Sequence, residues 1–395
     1  MIPAFSIGRL PRIEFGAGSI GKLPDIVAGY GKELLIVIGG QSFLASPAAQ
    51  PLFSALKANG SSWQLVQVRG EPSPELVDDA VQTWRGSGIE AVIGIGGGSV
   101  LDAAKAIAGL LRPGNSVMDH LEGVGPELPY AGPSTPLIAV PTTAGTGSEA
   151  TKNAVLSRHG PDGFKKSFRD DQLMAEYAIL DPDLLTTCPP ELIAANGMDA
   201  FTQLLEAYVS IRANPITDSL AMTGLRSARD GLLAWHQGGE RAAEGRSSMA
   251  LASLLSGICL AQAGLGSVHG LAQPLGSLFP IPHGVVCGTL VAAATEINIE
   301  VMQERDPQNR ALAKYGEVGR LFWSDPDADE QTKHMALVEA LRFWTDTMKL
   351  PRLDALGVTE ADFPAIIANC RGSSMKTNPV ALTDGEVERV LRLRM

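Results

Sequence analysis

The run Ala91-Val-Ile-Gly-Ile-Gly-Gly-Gly-Ser-Val-Leu-Asp-Ala-Ala-Lys105 constrains this chain more than any other stretch. Ala91 to Ile95 is short, apolar and β-branched, the composition of a strand covered on both faces in a parallel sheet. Gly96, Gly97 and Gly98 follow, and Ser99 is a good N-cap for a helix predicted to begin near Val100. Strand, glycine turn and helix N-terminus together make an anion site. Bare amides point outward, the helix dipole is positive there, and no side chain blocks a phosphate. The spacing departs from the dinucleotide fingerprint G-x-G-x-x-G at Ser99, so alone it reads equally well as a tight βα turn whose glycines serve only a positive φ. Asp102 and Lys105, three residues apart on the predicted helix, face one ligand together or form an ordinary surface ion pair.

The rest of the first half alternates in the same way. Strands are predicted at Ile13–Phe15, Glu33–Ile38, Trp63–Val68 and Pro136–Val140, with helices over about 47–59 and 74–85. That order implies a parallel sheet with ligands at the carboxyl ends of its strands. The strand ending at Val140 runs into Pro141-Thr-Thr-Ala-Gly-Thr-Gly-Ser-Glu-Ala-Thr151, a loop crowded with hydroxyls and glycines. Such hydroxyls cap turns or bind ligands, and a position just after a buried strand favours the ligand.

After Asp181-Pro-Asp183 the texture changes to long helices. A chain of 395 residues is too long for one core. The predicted domains are residues 1–186, an α/β dinucleotide-binding domain, and residues 187–395, an all-helical metal and substrate domain. Within a helix over Glu191–Val209, Asp199, Gln203 and Glu206 fall at i, i+4 and i+7, on spacing alone a solvent-facing stripe. His269 and His283 lie beside Gly and Pro breaks in very apolar helices. One such histidine is usually a core residue, but two with a carboxylate suggest a metal set.

A net charge of −11 without any Lys/Arg run argues against nucleic acid and anionic membranes as partners. The N-terminus lacks the pattern of a signal peptide, and no apolar run reaches the roughly 18 residues of a spanning helix. Cys188, Cys259, Cys287 and Cys370 show no paired spacing, which fits reduced thiols in a cytoplasmic protein and a role as small core residues.

Taken together, Gly96-Gly-Gly-Ser-Val-Leu-Asp-Ala-Ala-Lys105, Pro141-Thr-Thr-Ala-Gly-Thr-Gly-Ser-Glu149, Gly197-Met-Asp-Ala200, Gly266-Ser-Val-His269 and Pro282-His-Gly284 resemble the iron-containing (group III) alcohol dehydrogenases, in order over most of the chain. The resemblance implies an α/β nucleotide-binding domain, an all-α domain, a divalent metal in the cleft between them, and commonly a homodimer. It implies hydride transfer between NAD or NADP and a small alcohol, aldehyde or keto acid. Asp199, His269 and His283 match the family's metal-binding and catalytic positions. Gln203 stands where a histidine ligand is usual, and Gln273 where a second histidine approaches the reacting centre. An amide oxygen is a weak ligand, so Fe²⁺ or Zn²⁺ would be held less firmly, or not at all.

On the nucleotide side the resemblance assigns Gly97, Gly98 and Ser99 to the diphosphate and Thr142, Thr143 and Thr146 to phosphate and ribose. Asp102 falls near the nicotinamide, and Asn153 and Lys165 complete the set. Gly39-Gly-Gln-Ser42 has no carboxylate where NAD-preferring relatives carry one, so Gly39 and Ser42 favour NADP. Three alternatives stay open: a maleylacetate-type reductase, a lyase like dehydroquinate synthase, and a metal-free nucleotide-binding protein.

Overall fold

The computed structural model describes residues 4–158 and 163–395. The chain forms two compact units, one of Gly8–Cys188 and one of Pro189–Met395 with residues 4–7.

In the first unit β1 (Arg12–Phe15), α1 (Leu23–Ala28), β2 (Glu33–Ile38), α2 (Ala49–Ala58), β3 (Ser62–Gln67), α3 (Pro74–Trp84), β4 (Ala91–Gly96), α4 (Gly98–Leu110) and β5 (Leu137–Pro141) follow one another. A hairpin of β6 (Asn153–Arg158) and β7 (Phe164–Arg169) comes next, then β8 (Tyr177–Leu180). Six strands make one parallel sheet in the order β1-β8-β5-β4-β2-β3. Its central strands are apolar residue after residue because both faces are covered. Leu35, Val37 and Val92 enter one core with Leu101 and Ile107 of α4, while Leu34, Ile36, Ile93 and Ile95 enter the other with Leu52 and Leu56 of α2. The period of two in side-chain direction thus serves two cores at once.

The connection from β2 goes outward to β3, and the connection from β4 goes the other way, to β5. That reversal opens a crevice at the carboxyl ends of β2 and β4, the place where such sheets take ligands. Ile38 pairs with Ile95, so Gly39, just past the end of β2, lies beside Gly96, the last residue of β4.

Three features differ from the sequence reading. The β6–β7 hairpin and β8 were not expected. The hairpin strands carry Arg158, Lys165, Lys166 and Arg169, which hide their alternation. β8 has four residues and continues into Asp181-Pro182, which reads as a turn. The helix α4 starts at Gly98, capped by the extended Gly97 (φ −76°, ψ −176°), two residues before the position expected from Ser99. None of Gly96, Gly97 and Gly98 has a positive φ, so no turn geometry stops the helix from beginning that early.

The second unit is helical: α5 (Pro190–Val209), α6 (Pro215–Gln237), α7 (Ala242–Ala263), α8 (Ser267–Leu278), α9 (His283–Arg305), α10 (Arg310–Gly319), α11 (Glu330–Thr347), α12 (Phe363–Asn369) and α13 (Asp384–Arg392). The α7 and α8 axes bend by 99° at Gly264–Gly266. By length and apolarity α9 could cross a bilayer, which a search for an unbroken apolar run misses because Thr, Gly and Asn interrupt it. Yet 83% of its most apolar window is buried inside the unit, so this apolarity belongs to a core helix. Close approach to α5 is what it serves. A Cβ on Gly284 would stand 2.5 Å from the Ala195 carbonyl oxygen, and one on Gly288 2.9 Å from Met198 Cβ.

Candidate functional site

At the end of β4 the glycines are dictated by contact. A Cβ on Gly96 would overlap Val100, one on Gly97 would press on Thr143, and one on Gly98 would lie 2.8 Å from Thr146 Oγ1. No side chain caps α4. Its first-turn amides, those of Gly98 and Ser99 among them, therefore present hydrogen to whatever anion approaches. Thr142, Thr143 and Thr146 stay partly exposed beside them, and Thr142 donates its amide to the Gly96 carbonyl at 2.9 Å. Gly39 is half-buried on the neighbouring strand end, and Ser42 is exposed in the turn after it. We expect Gly98→Ala to weaken binding of the expected dinucleotide about tenfold or more, since the methyl must push Thr146 aside at a cost of roughly 1–3 kcal/mol. Titration of nucleotide fluorescence measures it.

The second half of the hydroxyl loop has a different task. Lys105 is fully buried, not a surface partner of Asp102. Its Nζ reaches Asp102 Oδ1 (3.3 Å), Ser148 Oγ (2.7 Å), Thr151 Oγ1 (2.8 Å) and the Asn153 carbonyl (2.8 Å). Asp102 also accepts from the Ser148 hydroxyl at 2.6 Å and from the Val155 amide at 3.1 Å. The ammonium thus ties α4 to the loop and to the start of β6. Burial pulls the Lys105 amine below its ordinary range, against the opposing pull of Asp102. Burial also pushes Glu149 up to about 7. On the hairpin, Lys165 is ion-paired with Glu71, which also accepts from the Ser157 hydroxyl at 2.5 Å.

In the helical unit Asp199 and Gln203 lie on α5 with Glu206, and all three are buried, 1%, 2% and 6% exposed. The expected solvent-facing stripe faces α8 and α9 instead. The helix α8 begins at a bend, and its first amides are capped from a distance. Ser267 N–H donates to Asn378 Oδ1 (3.0 Å) and Val268 N–H to Glu206 Oε1 (2.6 Å). A Cβ on Gly266 would lie 2.9 Å from that same Glu206 oxygen, which explains the glycine. The other Glu206 oxygen lies 2.7 Å from His269 Nδ1. It accepts the hydrogen bond from Nδ1–H and leaves Nε2 to face Asp199.

There the donors converge. His269 Nε2 lies 3.3 Å and His283 Nε2 3.7 Å from Asp199 Oδ1, while Gln203 Nε2 donates to Asp199 Oδ2 at 3.1 Å. Burial would raise the Asp199 carboxyl, but the two imidazoles outweigh it and hold the group down at about 2. Asp199 Oδ1 is buried and accepts no well-formed hydrogen bond from either ring. Nitrogen and oxygen donor atoms that converge this closely lie around a common point, and the set fits a divalent cation. Cys287 Sγ stands in the same cluster, with all four donor atoms within 4.8 Å of one another. Reading the four cysteines as core residues missed it. Its position one turn after His283 was the available signal. The Glu206 carboxylate was visible only as part of the stripe.

Two family signatures match the chain: "Iron-containing alcohol dehydrogenase" over residues 11–182 and "Fe-containing alcohol dehydrogenase family, C-terminal" over residues 193–395. The chain belongs to the iron-containing alcohol dehydrogenase family. It is an oxidoreductase acting on CH–OH groups, and the family uses NAD(P) and a divalent metal. Alcohol dehydrogenase 4 of Saccharomyces cerevisiae is 32% identical over 391 residues, covering 97% of each chain. The crystal structure of a 1,3-propanediol oxidoreductase superposes with a TM-score of 0.89 at 26% identity, covering 100% of both chains. Sulfoacetaldehyde reductase from Bifidobacterium kashiwanohense, solved with NAD⁺, gives 0.85 at 26% identity over 99% of each. Within this iron-containing alcohol dehydrogenase the Glu206→Gln substitution is expected to raise the dissociation constant for the metal 10–100-fold, because the amide holds the His269 proton less firmly. Competition with a chromogenic chelator reads that change.

Proposed function

We propose that this enzyme interconverts a small alcohol and its aldehyde with NADP(H), using a divalent metal held by Asp199, His269 and His283. The observation that carries the metal assignment is the convergence of Asp199 Oδ1 and the two Nε2 atoms, 3.3 and 3.7 Å away. When bound, the metal supplies Lewis acidity toward the substrate oxygen and the nicotinamide supplies or accepts the hydride. Glu206 keeps the His269 proton on Nδ1, and the Gln203 amide fixes the orientation of the Asp199 carboxylate. The amides of Gly98 and Ser99 bind the diphosphate beside Thr142, Thr143 and Thr146. Lys105 keeps the loop that carries those threonines in place from underneath.

The NADP preference rests on the crevice at β2. Gly39-Gly-Gln-Ser42 offers no carboxylate to repel a 2′-phosphate. Gln67, at the end of β3, donates to the Gly40 carbonyl at 2.8 Å and accepts from the Arg69 guanidinium at 3.1 Å. This brings an exposed cation to the same sheet edge, the residue type that accommodates a 2′-phosphate. Glu71, two residues further on, is neutralised by Lys165. Small alcohols and aldehydes are the substrate class suggested by the relatives' names, alcohol dehydrogenase and 1,3-propanediol oxidoreductase.

The test is steady-state loss of NADPH absorbance with short-chain aldehydes on metal-loaded protein. Sustained turnover with NADPH favoured at least about tenfold over NADH in kcat/KM, roughly 1.4 kcal/mol, is expected, and Arg69→Ala should erase most of that preference. Sustained turnover also separates net reduction from the transient redox step of a lyase. A stoichiometrically metallated protein that turns over with neither nucleotide would sink the proposal.

A further inference from the structure

The metal centre of this chain has lost an imidazole at Gln203 and holds a thiol that the expected donor set lacks. Gln203 cannot easily replace the missing ring. A carboxylate only accepts hydrogen bonds, so the amide NH₂ must face Asp199 Oδ2, where it lies at 3.1 Å. The amide oxygen is then turned toward Ser256 Oγ at 3.2 Å. Gln203 is therefore a positioning residue for Asp199.

Cys287 occupies the other side. It is fully buried on α9, one turn after His283, and its Sγ lies 3.7 Å from both His269 Nε2 and His283 Nε2. Zinc bonds of about 2.0–2.2 Å to nitrogen and oxygen and about 2.3 Å to sulfur, set at tetrahedral angles, give edges of about 3.4 Å between N and O and about 3.5 Å between S and N. The observed separations of 3.3 and 3.7 Å for the oxygen edges and 3.7 Å for both sulfur edges are close to those of such a tetrahedron. The placement is built into the backbone. Gly284 and Gly288 bring α9 against α5, so the face of α9 that carries His283 and Cys287 meets Asp199.

We infer that Cys287 is the fourth protein ligand of this centre, which makes it an Asp/His/His/Cys site that selects zinc over ferrous iron. The inference rests on the metal assignment proposed above and adds the sulfur to it. Soft thiolate favours zinc, and a zinc held by these four residues would meet the substrate oxygen as a fifth donor. Coordination releases the thiol proton to solvent and changes no oxidation state.

Cobalt(II) loaded into the full-length protein reads both levels separately. The wild type is expected to show visible d–d bands of a distorted tetrahedral ion together with a near-ultraviolet sulfur-to-cobalt charge-transfer band. Cys287→Ser should lose the charge-transfer band and keep the d–d bands. In competition with equal Zn²⁺ and Fe²⁺ under anaerobic conditions, its preference for zinc should fall about tenfold or more. Visible bands without the sulfur band in the wild type would overturn the Cys287 ligand and leave Asp199, His269 and His283 standing. Absence of any bound cobalt would overturn the underlying assignment and the sulfur with it. Should the variant fail to fold, zinc X-ray absorption on the wild type decides alone. One sulfur at about 2.3 Å supports the inference, and a shell of nitrogen and oxygen only rejects it.

Discussion

Asp199→Ala will strip the protein of its divalent metal and lower kcat/KM by about three orders of magnitude or more. Asp199 Oδ1 is the atom on which His269 and His283 both converge, and it belongs to the one carboxylate of the donor set. Without it, two imidazoles and a thiol face a buried hole, and the Gln203 amide loses its acceptor. Lewis-acid assistance lowers a carbonyl barrier by several kcal/mol, and each 1.36 kcal/mol is tenfold in rate. Elemental analysis and steady-state kinetics should fall together. A variant that keeps stoichiometric metal and more than about a tenth of wild-type kcat/KM would refute the assignment.

Lys105→Met will have the largest effect on stability, about 3–5 kcal/mol, because it leaves a mostly buried Asp102 carboxylate without its cation. Ser148, Thr151 and the Asn153 carbonyl lose a hydrogen-bond partner at the same time. A fall of roughly 10 °C in the melting temperature of the nucleotide-binding unit is expected. A change below about 2 °C would show that the ammonium is not the strut described above.

Glu149 gives this region a pH dependence of known direction. Burial raises its folded-state value from 4.5 to about 7. Stability from the neutral carboxyl is therefore complete below about 4.5 and is lost as pH rises through 7. Glu149→Gln removes that slope. At pH 8 it should be more stable than the wild type by roughly 3 kcal/mol, with the gap closing toward pH 4. Paired urea titrations across that range measure it, and parallel curves would contradict it.

Much of the first unit could be read directly because a strand buried on both faces has a nearly unbroken apolar sequence, as Leu34–Ile38 and Ala91–Ile95 do. The β6–β7 hairpin escaped because charged residues share its short strands. The glycines of the β4–α4 corner were visible, but not their reason, since a contact with Thr143 or Thr146 involves residues more than forty positions away. The helix α5 shows the same limit. A period of 3.6 says that Asp199, Gln203 and Glu206 share a face, and it cannot say whether water or another helix lies opposite. Asp199, His269 and His283 stood out as a carboxylate and two histidines beside helix breaks, and a resemblance gave that suggestion its family positions. Cys287 was marked only by its place one turn after His283, and otherwise a buried thiol looks, in one dimension, like any small core residue.

The first strand has its partner at the far end of its unit. β1 pairs only with β8, Arg12 with Tyr177 and Phe15 with Leu180, so it occupies the sheet margin through a neighbour made last. During synthesis at about 5–20 residues per second, that neighbour follows on the order of 10 to 30 s later. Throughout that interval the leading segment, with Ile13 and Phe15 still 37% and 39% exposed even in the finished protein, has no hydrogen-bonding strand to join. The outer margin of the sheet is therefore completed only after nearly the whole unit has been made.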